Sequence, residues 1–183
     1  MAPAAMQTET YEDKIRRVLA ELGIDEARIA RKCLPFCTEP SDLVVAEADA
    51  NGREYLLVPA AARAWQAMKR AAAEDGVVME LVSAFRSVER QAEIIRAKLD
   101  RGMAIDTILT LSAPPGYSEH HTGRAIDVNT PGCEPTEEPF EHTDAFRWLA
   151  RRADGFGFSL SYPRGNALGF IYEPWHWCYR GEG

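Results

Sequence analysis

Apolar residues recur at helical spacing over residues 11–22, where Ile15, Val18, Leu19 and Leu22 fall on one face, and an amphipathic helix is predicted there. A second, short helix is predicted over 26–32. Residues 42–46 and 53–58 then read as two strands joined by the turn-forming Asp49-Ala50-Asn51-Gly52. Pro59 suits the first turn of an Ala-rich helix that runs to residue 74 and stops at Asp75-Gly76. Alternation over 77–85 predicts a strand that delivers Arg86 at its end, after which Ser87 can cap a helix over 88–99. A weaker helical pattern covers 105–111, and Ala113-Pro114-Pro115-Gly116-Tyr117 is a loop. Thr143 or Asp144 caps a helix reaching about residue 153; strands are predicted over 156–162 and 169–173, with extended chain at 175–179. Helices come early and between strands, and the late strands have short connections. The predicted class is α+β, a mostly antiparallel sheet flanked by helices.

Bulk properties narrow this picture in a few ways. The 183 residues suit a single domain, with 1–58 as an N-terminal helical extension and hairpin and 59–180 as the core. No repeat or long Pro/Gly-rich linker divides the chain, and no apolar run approaches the eighteen residues of a membrane span. With 28 acidic and 21 basic residues the net charge is −7, which argues against nucleic acid as the main partner. Met1 to Thr10 lack the basic and apolar regions of an export signal, so the chain reads as cytoplasmic or as the processed form of an exported protein. Cys33, Cys37, Cys133 and Cys178 allow three full pairings. Cys33 and Cys37 are close enough in sequence to bridge; free buried thiols fit the composition equally well.

Two stretches carry chemistry: Ser118-Glu119-His120-His121-Thr122-Gly123-Arg124-Ala125-Ile126-Asp127 and Glu173-Pro174-Trp175-His176. Together they offer two imidazoles, a ligating carboxylate and a spare one. Three N/O ligands with an open fourth position suit a catalytic zinc, and the spare carboxylate suits the base that hydrolysis needs. If 124–129 is a strand, Ala125, Asp127 and Asn129 share the face toward a cleft, while Ile126 and Val128 face the core. Gly123 permits the bend that brings His120 and Asp127 together, and His176 arrives from a separate element. Pro174 keeps Glu173 out of a helix interior, so Glu173 is expected to end a strand beside the metal. Each residue alone has an ordinary reading. A single histidine is more often structural than ligating, and of the adjacent His120 and His121 one is expected to point inward. Trp175 and Trp177 are ordinary core aromatics. Spacing alone leaves both readings open.

The pattern Ser118-x-His120-x-x-Gly123-x-Ala125-x-Asp127, followed by Glu173-Pro174-Trp175-His176, resembles the zinc D,D-peptidase family that includes the VanY-type D-alanyl-D-alanine carboxypeptidases. Ser83-Ala84-Phe85-Arg86-Ser87 with Gln91 is similar to that family's Ser-Gly-Tyr-Arg-Ser segment and its glutamine, with Ala84 for glycine and Phe85 for tyrosine. Residues 157–163 also resemble the family's stretch before the last histidine. The resemblance spans residues 59–180. It implies a hedgehog/DD-peptidase-like fold and a zinc held by His120, Asp127 and His176, with Glu173 as general base. Arg86 would bind the substrate's free carboxylate, Gln91 would support Arg86, and Ser118 would contact substrate or brace a ligand. His121 would be a non-ligand near the cleft, and Tyr162 and Trp175 would form cleft walls or core. The implied activity is removal of the terminal D-alanine from peptidoglycan stem peptides, outside the cytoplasmic membrane of a bacterium. D-Ala-D-Ala dipeptidase (compatible with the cytoplasm), L,D-carboxypeptidase and L-Ala-D-Glu endopeptidase belong to the same chemistry. A non-catalytic zinc module like the hedgehog signalling domain is the reading of a different class, disfavoured by the intact base.

Overall fold

Thr10 starts the first helix by accepting the Asp13 amide on its side chain, a capping bond that satisfies one otherwise orphaned donor. The computed structural model describes residues 9–181, so Met1 to Thr8, read above for an export signal, lie outside the described residues. Helix α1 (Tyr11–Glu21) buries Ile15, Val18 and Leu19, and α2 (Glu26–Lys32) follows with Asp25 as its cap. A hairpin of β1 (Val44–Ala48) and β2 (Glu54–Leu57) leads into α3 (Pro59–Glu74), where Pro59 occupies the first turn as its fixed φ allows. Then come β3 (Glu80–Ser83), α4 (Val88–Asp100, capped by Ser87), α5 (Ile105–Leu111) and β4 (Ala125–Asn129). Helix α6 (Asp144–Arg152, capped by Thr143), β5 (Phe158–Leu160) and β6 (His176–Tyr179) complete the chain.

The last four strands form one antiparallel sheet in the order β3-β4-β6-β5. Its apolar side joins α3, α6 and the hairpin in the main core, where Trp65, Met68 and Leu57 meet Ile126, Val128, Trp148 and Phe158. A second cluster packs Ile15, Leu19 and Ile29 of the N-terminal helices against Val88 and Ile95 of α4 and Ile108 of α5. The class is α+β. Among the described residues no helix is long and apolar enough to cross a membrane. All four cysteines are free thiols.

Several predicted boundaries shift. The strand expected at 42–46 lies two residues later. The one expected over 77–85 shortens to β3, because Val78 is 55 % exposed on the irregular segment after the Asp75-Gly76 turn and the Phe85 amide leaves the sheet to bond the Leu56 carbonyl. Residues 156–162 divide at Gly157, whose φ of +78° separates a 3-10 turn from β5. Residues 169–173 form no strand. Their amides bond singly, Ile171 to the Thr110 carbonyl and Glu173 to that of Tyr162, so Glu173 sits on an irregular segment. Strand β4 is buried at all five positions, since it is interior to the sheet with core on one face and the cleft floor on the other.

Gly123 is the hinge between the 3-10 turn Glu119–Thr122 and β4. Its φ is +63°, and a Cβ there would stand 2.8 Å from Leu43 Cδ2 and 3.2 Å from the Val58 amide nitrogen. Gly123→Ala should therefore lower unfolding free energy by about 2 kcal/mol, combining left-handed strain with the steric clash. Chemical denaturation measures this directly; an unchanged midpoint would mean that the turn relaxes freely.

Candidate active site

Cross-strand register builds the centre of the site. Asp127 on β4 is the direct partner of His176 on β6 and, on its other side, of Ser83 on β3. His120 enters from the 3-10 turn just before β4. One ligand-capable atom from each of His120, Asp127 and His176 lies within 4.8 Å of the others, and all three residues are buried.

The hydrogen bonds decide which nitrogens are available. His120 Nδ1–H donates to the Ala84 carbonyl at 2.7 Å, and a carbonyl can only accept. The Nε2 lone pair therefore faces Asp127 Oδ2, 3.2 Å away. His176 Nδ1 lies 3.0 Å from Asp127 Oδ1, and its Nε2 lies 3.0 Å from Glu119 Oε2. With Nε2–H donated to Glu119, Nδ1 is left to ligate. Two imidazole lone pairs and a carboxylate converging on one point match the donor set of zinc, and the backbone and carboxylate partners on the far ring nitrogens are the usual outer support of such ligands.

Electrostatics among these side chains add that His176 holds a second proton, on the nitrogen facing Asp127, which a metal ion would displace. Burial opposes charge on His176, but the hydrogen bonds and charges of Asp127 and Glu119 outweigh it and raise its pKa to about 10. Burial likewise works against ionising Asp127, and the His120 and His176 imidazoles overcome it, holding the carboxyl below its ordinary range. His120 is pushed down to about 4 by burial, against the pull of Asp127. Burial moves Glu173 the other way, up to about 7, with His176 opposing it. A carboxyl titrating near neutrality beside a metal-binding set is suited to taking and returning a proton.

These groups open into a cavity of about 550 Å³ that also receives Arg86, Gln91, Ser118 and Glu173. Glu173 Oε2 is 4.0 Å from His176 Nδ1. Arg86 donates to Gln91 Oε1 and to Ser83 Oγ, both at 2.9 Å, and approaches Asp127 Oδ2 at 3.6 Å. Gln91 is itself pinned, its Nε2 donating to the Ala113 carbonyl at 2.7 Å. Tyr162 and Trp175 line the cavity, and the Tyr162 ring lies against His176 at 4.7 Å between centroids.

Both His120 and His121 are buried, yet of the adjacent pair His120 alone reaches the cavity. His121 does not line the cavity; its Nδ1–H donates to the Arg86 carbonyl at 2.6 Å, while the Arg86 amide donates to the His120 carbonyl at 3.1 Å. The two histidines thus tie the arginine segment to the metal-binding turn.

Sequence reasoning missed the partners of His176. Glu119 is 8 % exposed, and it also accepts from Ser161 Oγ at 2.5 Å and from the Arg180 guanidinium. Burial disfavours its charge, but His176, Ser161 and Arg180 prevail and hold its pKa at about 2. Adjacency to His120 was its single sequence signal, and adjacency says nothing about which histidine a side chain serves.

Known proteins match this architecture. Residues 54–182 match the family described as VanY, D-alanyl-D-alanine carboxypeptidase. The D-alanyl-D-alanine carboxypeptidase of Enterococcus faecalis (strain ATCC 700802 / V583) is 34% identical over 121 residues, 61% of this chain and 43% of that one. The chain spans about half the length of the curated relatives it matches. Among solved structures, the LdcB LD-carboxypeptidase superposes with a TM-score of 0.70 at 32% identity, covering 78% of this chain and 70% of its own. The D,D-pentapeptidase VanY of a VanB-type vancomycin-resistance cassette, solved with Zn(II), gives 0.63 at 29% identity over 82% and 89%. The same enzyme has also been solved with D-alanine-D-alanine, at the same TM-score and identity over 80% and 86%. Matched by this family model over most of its length, and carrying a buried His120, Asp127 and His176 set suited to zinc, the chain belongs to the VanY, D-alanyl-D-alanine carboxypeptidase, family.

Proposed function

We propose that this protein removes the terminal D-alanine from peptidoglycan stem peptides, as a zinc D,D-carboxypeptidase. The observation that carries the reading is that Arg86 and Glu173 open into the same cavity as His120, Asp127 and His176. Zinc, when bound, supplies Lewis-acid polarisation of the scissile carbonyl and acidifies the attacking water. Arg86 binds the substrate's terminal carboxylate through donors that Gln91 and Ser83 hold in a fixed fork. Glu173 takes the proton of the attacking water and returns it to the departing amine. Ser118 lines the same cavity and is assigned a substrate contact. A wall substrate puts the working enzyme outside the cytoplasmic membrane.

A second reading, L,D-carboxypeptidase, is favoured by the higher TM-score against LdcB, 0.70 compared with 0.63 for VanY. The two differ in the residue before the scissile bond, D in one and L in the other. The test is release of D-alanine by the zinc-loaded protein from a peptide ending in Lys-D-Ala-D-Ala and from one ending in Lys-D-Ala, each with and without chelator. Zinc-dependent release from the first alone supports the D,D reading, and release from the second alone supports the L,D reading. Cleavage of neither by folded, zinc-loaded protein would overturn both.

A further inference from the structure

One cation in the cavity has no part in the chemistry above. Gln91, Ile94 and Lys98 lie along one face of α4 at spacings of three and four, and all three line the cavity. Helical side chains lean toward the helix N-terminus, which tilts Lys98 toward Gln91 and Arg86. Its ammonium donates to Ser112 Oγ at 2.7 Å, which uses one of its three donors. Among the described residues it meets no carboxylate at ion-pair distance. Half-burial and the nearby Arg86 charge both lower its affinity for its proton, with Glu173 opposing. A half-buried ammonium with one protein hydrogen bond, in a cavity shared with a guanidinium, is better satisfied when an anion joins it.

We propose that Lys98 is the second arm of a two-cation clamp with Arg86: both take the peptide's free α-carboxylate, so the cavity recognises a chain end and rejects an internal or amidated one. The inference rests on the carboxypeptidase reading and deepens it. A neutral amide seated there would leave the half-buried Lys98 ammonium without an anion and Arg86 with only its 3.6 Å contact to Asp127, and an uncompensated charge is more damaging than a weakened contact. Lys98 is therefore a specificity residue, and the chemistry stays with Glu173 and the metal ligands.

The test compares Lys98→Met and Lys98→Arg with the parent, all zinc-loaded, on one D-Ala-D-Ala peptide as free acid and as C-terminal amide. Thermal unfolding serves as a check of folding. The parent should prefer the acid by about 100-fold or more in kcat/KM, as expected when a charged group loses its partner. Lys98→Met should raise KM for the acid about tenfold with kcat little changed, the loss of one charge-assisted hydrogen bond, while the amide is cleaved no worse and gains from losing an uncompensated charge, so the preference for the acid narrows. Lys98→Arg should recover most of the loss. Bound D-alanine, followed by calorimetry, should weaken in parallel. An unchanged KM in Lys98→Met, or equal losses on acid and amide, would overturn the clamp and leave the carboxypeptidase reading standing. A parent that cleaves neither of these peptides nor the one ending in Lys-D-Ala would overturn that reading and the clamp with it.

Discussion

Glu173→Gln is expected to lower kcat/KM by about 10²–10⁴-fold while leaving zinc bound, the usual contribution of a positioned general base. Glutamine keeps the volume of the side chain, so the walls formed by Trp175 and Tyr162 persist. It cannot accept a proton. Burial already brings the Glu173 carboxyl up to about 7, so at neutral pH the native residue both takes protons and gives them back, which the amide cannot imitate. Steady-state rates and metal content of the purified variant measure the two effects separately. Loss of zinc together with activity would make Glu173 a ligand and would reverse its assignment.

Glu119→Ala is expected to weaken zinc binding by about 10–100-fold, the typical effect of removing an outer partner of a ligating histidine. The Glu119 carboxylate gathers His176 Nε2, Ser161 Oγ and Arg180, so its loss frees the His176 ring to rotate or change tautomer. Glu119→Gln keeps one acceptor and should fall between parent and alanine. Competition with a chromophoric chelator gives the dissociation constant independently of turnover. The same titration should find the parent's affinity rising with pH, by up to about tenfold per unit, because the ligating form of His176 has released a proton. The sign follows from the raised pKa of His176: below about 10 the metal-free ring is protonated, and each fall in pH makes that proton harder to displace. Unchanged affinity in Glu119→Ala would mean that packing against Tyr162 alone holds the ring.

Helices were the most legible part of the fold. Their 3.6-residue periodicity and their caps at Ser87 and Thr143 are local signals, and α3 starts and stops at the predicted residues. Strand limits were less legible, because pairing is decided by a distant partner. Residues 169–173 have an apolar, extended look, yet no neighbouring strand offers them a ladder. On β4 the alternation did give the faces, with Ile126 and Val128 in the core and Asp127 on the cavity, although two flanking strands and the cavity bury both sides.

What the sequence alone determined was the inventory: two histidines, two acids and an arginine at spacings that permit a hydrolytic zinc site, and the helix that carries Gln91 and Lys98. What only the tertiary structure decided was who faces whom. The register that sets Asp127 opposite His176, the assignment of Glu119 to the far nitrogen of His176, and the shared cavity of Arg86, Lys98 and Glu173 all join residues far apart in the chain. Spacing specifies the direction of a side chain only within one regular element, and this site is assembled from four separate segments whose relative placement is set by sheet pairing and core packing.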